Sequence, residues 1–211
     1  MILTPVDKPL AASHQTDIPD LIHMTGPSSY NYMFGADRTA FDLYFKAAWL
    51  DADNYFAHNL ATLAIDGDKL LGIELGHTGY TREKLKTGMI NVAGALLGAG
   101  KVKPETLIEI SDRSDKASYL NPYVPLDAYY LLALAVPVAS RGQKIGAALM
   151  DNLITRARQA GHREVHLDVL SDNPAVNFYQ AHGFACMAET VAPIPCRNHH
   201  VPMEMRMVLP L

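Results

Sequence analysis

The chain has 211 residues, the size of one ordinary globular domain, and is long enough to bury a sizeable core. Hydrophobic residues make up 49% and charged residues 19%, which excludes a disordered chain, and the 14 Gly and 13 Pro follow no collagen-like period. A net charge of −4 argues against broad electrostatic attraction to nucleic acid or to an anionic membrane and leaves room only for local basic sites.

Met1 to Leu10 lack a basic stretch followed by a long apolar one, so a cytoplasmic location is expected. The most apolar windows, Met89–Ala99 and Tyr129–Val138, are too short to span a bilayer as helices. Cys186 and Cys196 are no disulfide framework, and with His199 and His200 they lack CxxC or HxxxH spacing, so no metal is expected.

In chain order, Asp17–Thr25 reads as a short helix and Arg38–Leu50 as a longer one with Phe41, Leu43, Tyr44, Ala48 and Trp49 apolar. Leu60–Ile65 and Lys69–Leu75 flank Asp66-Gly67-Asp68, the pattern of an antiparallel hairpin. A helix is expected over Arg82–Leu97, then a break at Gly98–Pro104 and a polar stretch at Ser111–Ser118. The region 80–123 therefore reads as an insertion within a single domain spanning 1–211. Its Met89–Leu97 stretch suits packing or a homodimer contact better than a ligand box.

Tyr129–Val136 is a continuous apolar run, as in a strand buried on both faces, and Pro137 ends it. The turn Val138–Gln143 leads into Lys144–Ala160, where Ile145, Leu149, Leu153 and Ala157 recur every four residues, and Gly161 stops this helix. Glu164–Leu170 alternates as a strand, and Asn173-Pro174 opens a helix to His182. Phe184–Ala192 and Met203–Leu209 are the final strands. Strand, helix, strand implies two parallel strands joined by a right-handed crossover.

The turn Arg141-Gly142-Gln143-Lys144-Ile145-Gly146 delivers a buried strand into a helix start, where unpaired N–H groups and a partial positive charge favour an anion. Gly142 and Gly146 equally suit a tight turn and close helix packing. Neither GxxxxGK[ST] nor GxGxxG is present, which weakens a nucleotide phosphate-binding reading. Downstream, Val169, Asn173, Ala175 or Val176, Phe178, Tyr179, Gly183 and Phe184 fit the pattern V-x-x-x-N-x-x-A-x-x-F-Y-x-x-x-G-F.

Together the two stretches, within Tyr129–Phe184, resemble the core of the GNAT (GCN5-related N-acetyltransferase) superfamily, whose pyrophosphate loop is [QR]-x-x-G-x-[GA]. Arg141 and Gly146 match its ends, and Lys144 stands where the family usually has glycine, which is expected to reshape the turn. The resemblance implies the acyl-CoA N-acyltransferase fold, an α/β fold with a mixed, mostly antiparallel sheet, a splayed parallel strand pair and flanking helices. It implies acetyl-CoA as co-substrate, an amine acceptor, and direct attack of that amine on the thioester. A non-catalytic acyl-CoA-binding regulatory protein of the same fold is the alternative.

Carried over residue by residue, backbone groups of Leu134, Ala135 and Val136 would bind the pantetheine arm. The amides of Gly142, Gln143, Lys144, Ile145, Gly146 and Ala147, with Arg141 beside them, would hold the pyrophosphate. Asn173 would contact the pantetheine, with Phe178 and Tyr179 beside it, and Tyr179 would be the general acid for the departing thiolate, although both aromatics also suit a core. The base is left open. Tyr129–Val136 contains no acid, Asp127 lies near its start, and Glu74 and His77 have an odd separation that puts them on opposite strand faces. His166 shares a face with Asp168, where a core His–Asp pair is the expected arrangement.

Overall fold

A computed structural model describes residues 1–35 and 38–211. Its seven-stranded sheet comprises β1 (Ile2–Pro5), β2 (Ala61–Asp66), β3 (Lys69–Thr78), β4 (Tyr129–Ala135), β5 (Glu164–Leu170), β6 (Ala185–Thr190) and β7 (Glu204–Pro210), in the order β1-β2-β3-β4-β5-β7-β6. Every neighbouring pair is antiparallel except β4 and β5. The hairpin expected at Asp66-Gly67-Asp68 joins β2 to β3, and Gly67 takes a φ of 57°, a conformation that favours glycine.

Helices cover both faces. On one face lie α1 (Lys8–His14), α2 (Ile18–Thr25), α3 (Pro27–Phe34) and α4 (Thr39–Leu50). Between β3 and β4 come α5 (Arg82–Gly98) and α6 (Pro104–Ala117). The rest are α7 (Ile145–Gln159), α8 (Ala175–Ala181) and α9 (Pro193–His199). Phe41, Phe45 and Trp49 of α4 pack with Ile18, Ile22, Leu63 and Ile73, and the Trp49 indole N–H donates to the Ala11 carbonyl at 2.9 Å. From α7, Leu149, Leu153 and Ala157 are buried as their four-residue spacing requires, with Met150 beside them.

Four helices and one strand depart from the sequence expectation. The polar stretch ending at Ser118 is the second half of α6, a helix with no buried residue. It is held by Pro104 in its first turn and by the pairs Glu109–Arg113 (3.0 Å) and Asp112–Lys116 (2.6 Å) at i,i+4 spacing. Helices α1, α3 and α9 likewise start at prolines but are only seven or eight residues long. Strand β1 carries no alternating pattern. In α4, Phe45 rather than Leu43 completes the buried stripe.

Two features of β4 set up the site. Its register against β3 pairs Ala133 with Leu75 and Leu131 with Gly76, so Leu132 is an extra residue, a bulge. Leu131 accordingly packs with Met150 and Leu153 on the α7 side, whereas Ala133 and Ala135 join the cluster of Phe41 and Trp49 on the opposite face. Gly76 is required here, because a Cβ would lie 2.6 Å from the Tyr130 carbonyl oxygen. In addition, β4 pairs with β5 only at Tyr129–Val165 and Tyr130–His166, and beyond these the parallel strands diverge. Among the described residues no helix is long and apolar enough to cross a membrane.

Candidate active site

The divergence of β4 from β5 opens a cleft of about 1270 Å³. One wall is made by Leu132–Val136 and by Leu167–Leu170, the facing wall by the α2–α3 junction and by residues of α5 and α6. Past Tyr130 the β5-facing edge of β4 has no ladder partner among the described residues, so it can accept an extended ligand as an added strand.

At one end of the cleft the chain leaves β4 through Pro137 and a single 3₁₀ turn, Val138–Ser140, and enters α7. The Arg141 N–H bonds to the Val138 carbonyl (3.2 Å), and the next backbone donor with an acceptor is Ala148, bonded to Lys144 (3.0 Å). The intervening amides, Gly142 through Ala147, donate to no group among the described residues. A run of free N–H groups at the start of a 15-residue helix favours a nearby anion. Lys144 adopts a φ of 60°, a left-handed conformation that favours glycine and that an L side chain rarely takes. Gly142 also has a positive φ, 76°. Of the residues carried over to this loop, Arg141 and Gly146 line the cleft. Gly142, Gln143 and Lys144 are exposed on the turn, and the Ile145 side chain is buried with Leu71 and Leu149, leaving only its backbone to a ligand.

Leu134, Ala135 and Val136 line the cleft, as do Asn173, Phe178 and Tyr179. The Asn173 side chain is committed to the fold: its Oδ1 accepts the Ala175 N–H at 2.9 Å, closing a turn just before α8, whose cap position is Pro174, and its Nδ2 reaches the Thr25 carbonyl at 3.5 Å. Tyr179 packs edge-on against both Phe178 and Phe184, yet its hydroxyl has no hydrogen-bond partner among the described residues. Burial pushes this phenol up to about 12, which keeps it protonated at neutral pH.

None of the residues considered as a base from the sequence lies on the cleft. Glu74 is fully buried on the α7 side, bound to the Arg156 guanidinium and accepting the Tyr129 hydroxyl at 2.8 Å. Burial pushes its carboxyl up, against the opposing influence of Arg156. His77 faces the other way, stacked between Tyr55 and Tyr130, with Nδ1 at 3.0 Å from the Thr78 carbonyl, and burial lowers its pKa. The Asp127 carbonyl accepts from His162 at the opposite end of β4. His166 pairs with Glu164 (2.8 Å) rather than with Asp168, because Asp168 is taken by Arg206 and by the Tyr130 hydroxyl (2.9 Å).

The structure brings to the cleft a carboxyl that spacing alone does not single out, that of Glu204 at the start of β7. It accepts the Ser118 hydroxyl at 2.5 Å, and burial raises its pKa to about 7, Asp168 adding to the shift while Ser118, the Leu120 backbone and Arg206 oppose it. The alternation of charged Glu204 and Arg206 with Met203, Met205 and Met207 is the one sequence signal that a charged strand face meets the interior. Cys186 and Cys196 are free thiols.

A mixed sheet with one splayed parallel pair, a free-amide turn and an unpartnered phenol meet on this one cleft. The profile of the Acetyltransferase (GNAT) family matches residues 40–184, and the chain belongs to that family. Its sheet and flanking helices form the acyl-CoA N-acyltransferase fold. An N-acetyltransferase from Staphylococcus aureus Mu50 superposes with a TM-score of 0.70 at 15% identity, covering 99% of this chain and 100% of that one. The polyamine N-acetyltransferase of Drosophila melanogaster gives 0.61 at 14% identity, over 100% and 99%. The NatC complex bound to Gag peptide and CoA gives 0.53 at 18% identity, over 100% and 98%. Comparison with curated protein sequences finds no match.

Proposed function

We propose that the protein is an N-acetyltransferase, moving the acetyl group of acetyl-CoA to a primary amine of a small molecule or protein by direct attack within a ternary complex. The observation that carries this reading is the run of free amides from Gly142 to Ala147 at the head of a cleft whose wall also presents the Tyr179 hydroxyl. Acetyl-CoA supplies the acetyl group as a thioester. The free amides and Arg141 hold its pyrophosphate, and the open edge of β4 from Leu134 to Val136 orients its pantetheine arm. Tyr179 supplies the proton that the departing sulfur needs, a role suited to a phenol held neutral by burial. The CoA-bound NatC neighbour supports the choice of co-substrate.

The chain is read as one domain in which residues 80–123, carrying α5 and α6, form the bank of the cleft that selects the acceptor. Titration with acetyl-CoA and, separately, ATP, followed by thiol release with a panel of polyamines, agmatine and free-N-terminus peptides, tests the reading. Stabilisation by acetyl-CoA and thiol release with at least one amine are expected. No stabilisation at millimolar acetyl-CoA would sink it, and binding without thiol release across the panel would leave an acyl-CoA-binding regulatory protein.

A further inference from the structure

An amine that arrives at neutral pH is protonated and has no lone pair for attack, so a transferase cleft needs a group that can take that proton. Among the described residues, four carboxylates stand on the cleft wall: Asp115, Asp168, Asp172 and Glu204. Asp115 and Asp172 are exposed to solvent. Asp168 is buried but fully used, since the Arg206 guanidinium binds both of its oxygens and the Tyr130 hydroxyl donates to Oδ2. Glu204 alone among them is both withdrawn from water and free of a cationic partner within salt-bridge distance among the described residues.

Its position fits the role. The β5–β7 register places Glu204 opposite Leu170, at the end of β5 that has already parted from β4, so its carboxyl stands beside the opening through which a thioester would be reached. The Ser118 hydroxyl fixes the carboxyl orientation from the segment that follows α6. We propose that Glu204 binds the acceptor's ammonium group and takes its proton, an assignment that rests on the acetyl-transfer reading above. The ammonium N–H bond breaks toward a Glu204 oxygen. The freed nitrogen lone pair forms the bond to the acetyl carbon as the carbon–sulfur bond breaks, and the sulfur takes the Tyr179 hydroxyl proton. The acylated nitrogen gives up its second proton, which acylation makes acidic, to the Tyr179 phenolate, and Glu204 returns its proton to solvent, leaving a neutral amide, a free thiol and both side chains as they began.

The electrostatic surroundings support this use. The charged and polar groups that face Glu204 are Asp168 from β5, Arg206 from its own strand, Tyr130 from β4 and Ser118 with the Leu120 backbone from the α6–β4 segment; its partner on β6, Thr190, is uncharged. Their balance with burial leaves the carboxyl near pH 7, where a group both accepts and releases a proton readily.

The test uses the whole protein with glutamate labelled with ¹³C at the side-chain carboxyl, saturated with acetyl-CoA. One carboxyl signal should titrate near neutral pH and be absent from Glu204→Gln. With the best amine of the panel, Glu204→Gln should lower kcat/KM for the amine roughly 10²-fold or more and abolish its acidic limb. The amide still accepts the Ser118 hydroxyl, so acetyl-CoA affinity should hold within about twofold. Wild-type turnover with an unchanged rate and pH profile in Glu204→Gln, or no carboxyl titrating near neutrality, would overturn the assignment. A wild-type protein that releases no thiol with any amine overturns the transfer reading first, and this assignment with it.

Discussion

The Arg206 guanidinium grips the Asp168 carboxylate across the β5–β7 ladder, and the same guanidinium donates to the carbonyls of Tyr123 (2.6 Å) and Leu120 (2.7 Å). Both side chains are almost wholly buried. One cation therefore ties the segment leaving α6 to the strand that walls the cleft. Removing it alone leaves a buried, unpaired carboxylate, so Arg206→Met should cost roughly 3–5 kcal/mol in urea unfolding. Adding Asp168→Asn removes the stranded charge and should recover a large part of that loss. No recovery in the double variant would mean that the two carbonyls, not the ion pair, are what Arg206 stabilises.

Tyr179 offers a clean separation of packing from chemistry. Its ring is held by Phe178 and Phe184, but its hydroxyl bonds to nothing among the described residues, so Tyr179→Phe removes no internal hydrogen bond. Stability should stay within about 0.5 kcal/mol of wild type. Turnover should fall on the order of 10²-fold, with the acetyl-CoA dissociation constant little changed. Equal losses in affinity and turnover would show that the side chain serves packing alone.

At the loop, the size of the side chain at position 146 should decide binding. A Cβ on Gly146 would meet Phe178 at 3.6 Å and Val136 at 3.8 Å, ordinary contacts, so Gly146→Ala should keep both the fold and acetyl-CoA binding. The indole of Gly146→Trp has to project into the cleft and should abolish binding while the circular dichroism spectrum and unfolding midpoint stay near wild type. Retained affinity in Gly146→Trp would move the pyrophosphate site away from this turn.

The legible part of this fold is the part whose signal is local. The Asp-Gly hairpin and the four-residue stripe of α7 are each written within a few residues, and the structure contains them, whereas the cap expected at Asn173 falls one residue later, at Pro174, with Asn173 bonding to Ala175 from outside the helix. Helix α6 escapes because it buries nothing: its evidence is charge spacing, Glu109 to Arg113 and Asp112 to Lys116, not an apolar period. The loop was readable from small residues and basic neighbours, yet only the structure gives Lys144 its positive φ. Glu204 was not readable as a site residue, because its environment is assembled by Ser118, 86 residues away, and by a β7 register that no short motif encodes.

The buried carboxyl of Glu204 also makes a prediction for stability. Its folded-state pKa, about 7, lies above the ordinary 4.5, so between those values the folded protein holds a proton that the unfolded chain has lost. Below pH about 4.5 the group is neutral in both states and costs nothing; as pH rises toward 7 the folded state loses stability, and above 7 it carries the full cost of a buried charge. At roughly 1.4 kcal/mol per pH unit, that cost is about 3 kcal/mol. Glu204→Gln removes it, so the variant should gain up to about 3 kcal/mol over wild type at pH 8 relative to their difference at pH 4. Thermal unfolding across this range checks the sign: the gap should widen between pH 4.5 and 7 and then level off. A gap independent of pH would place the carboxyl in the ordinary range and remove the ground for giving it the acceptor's proton.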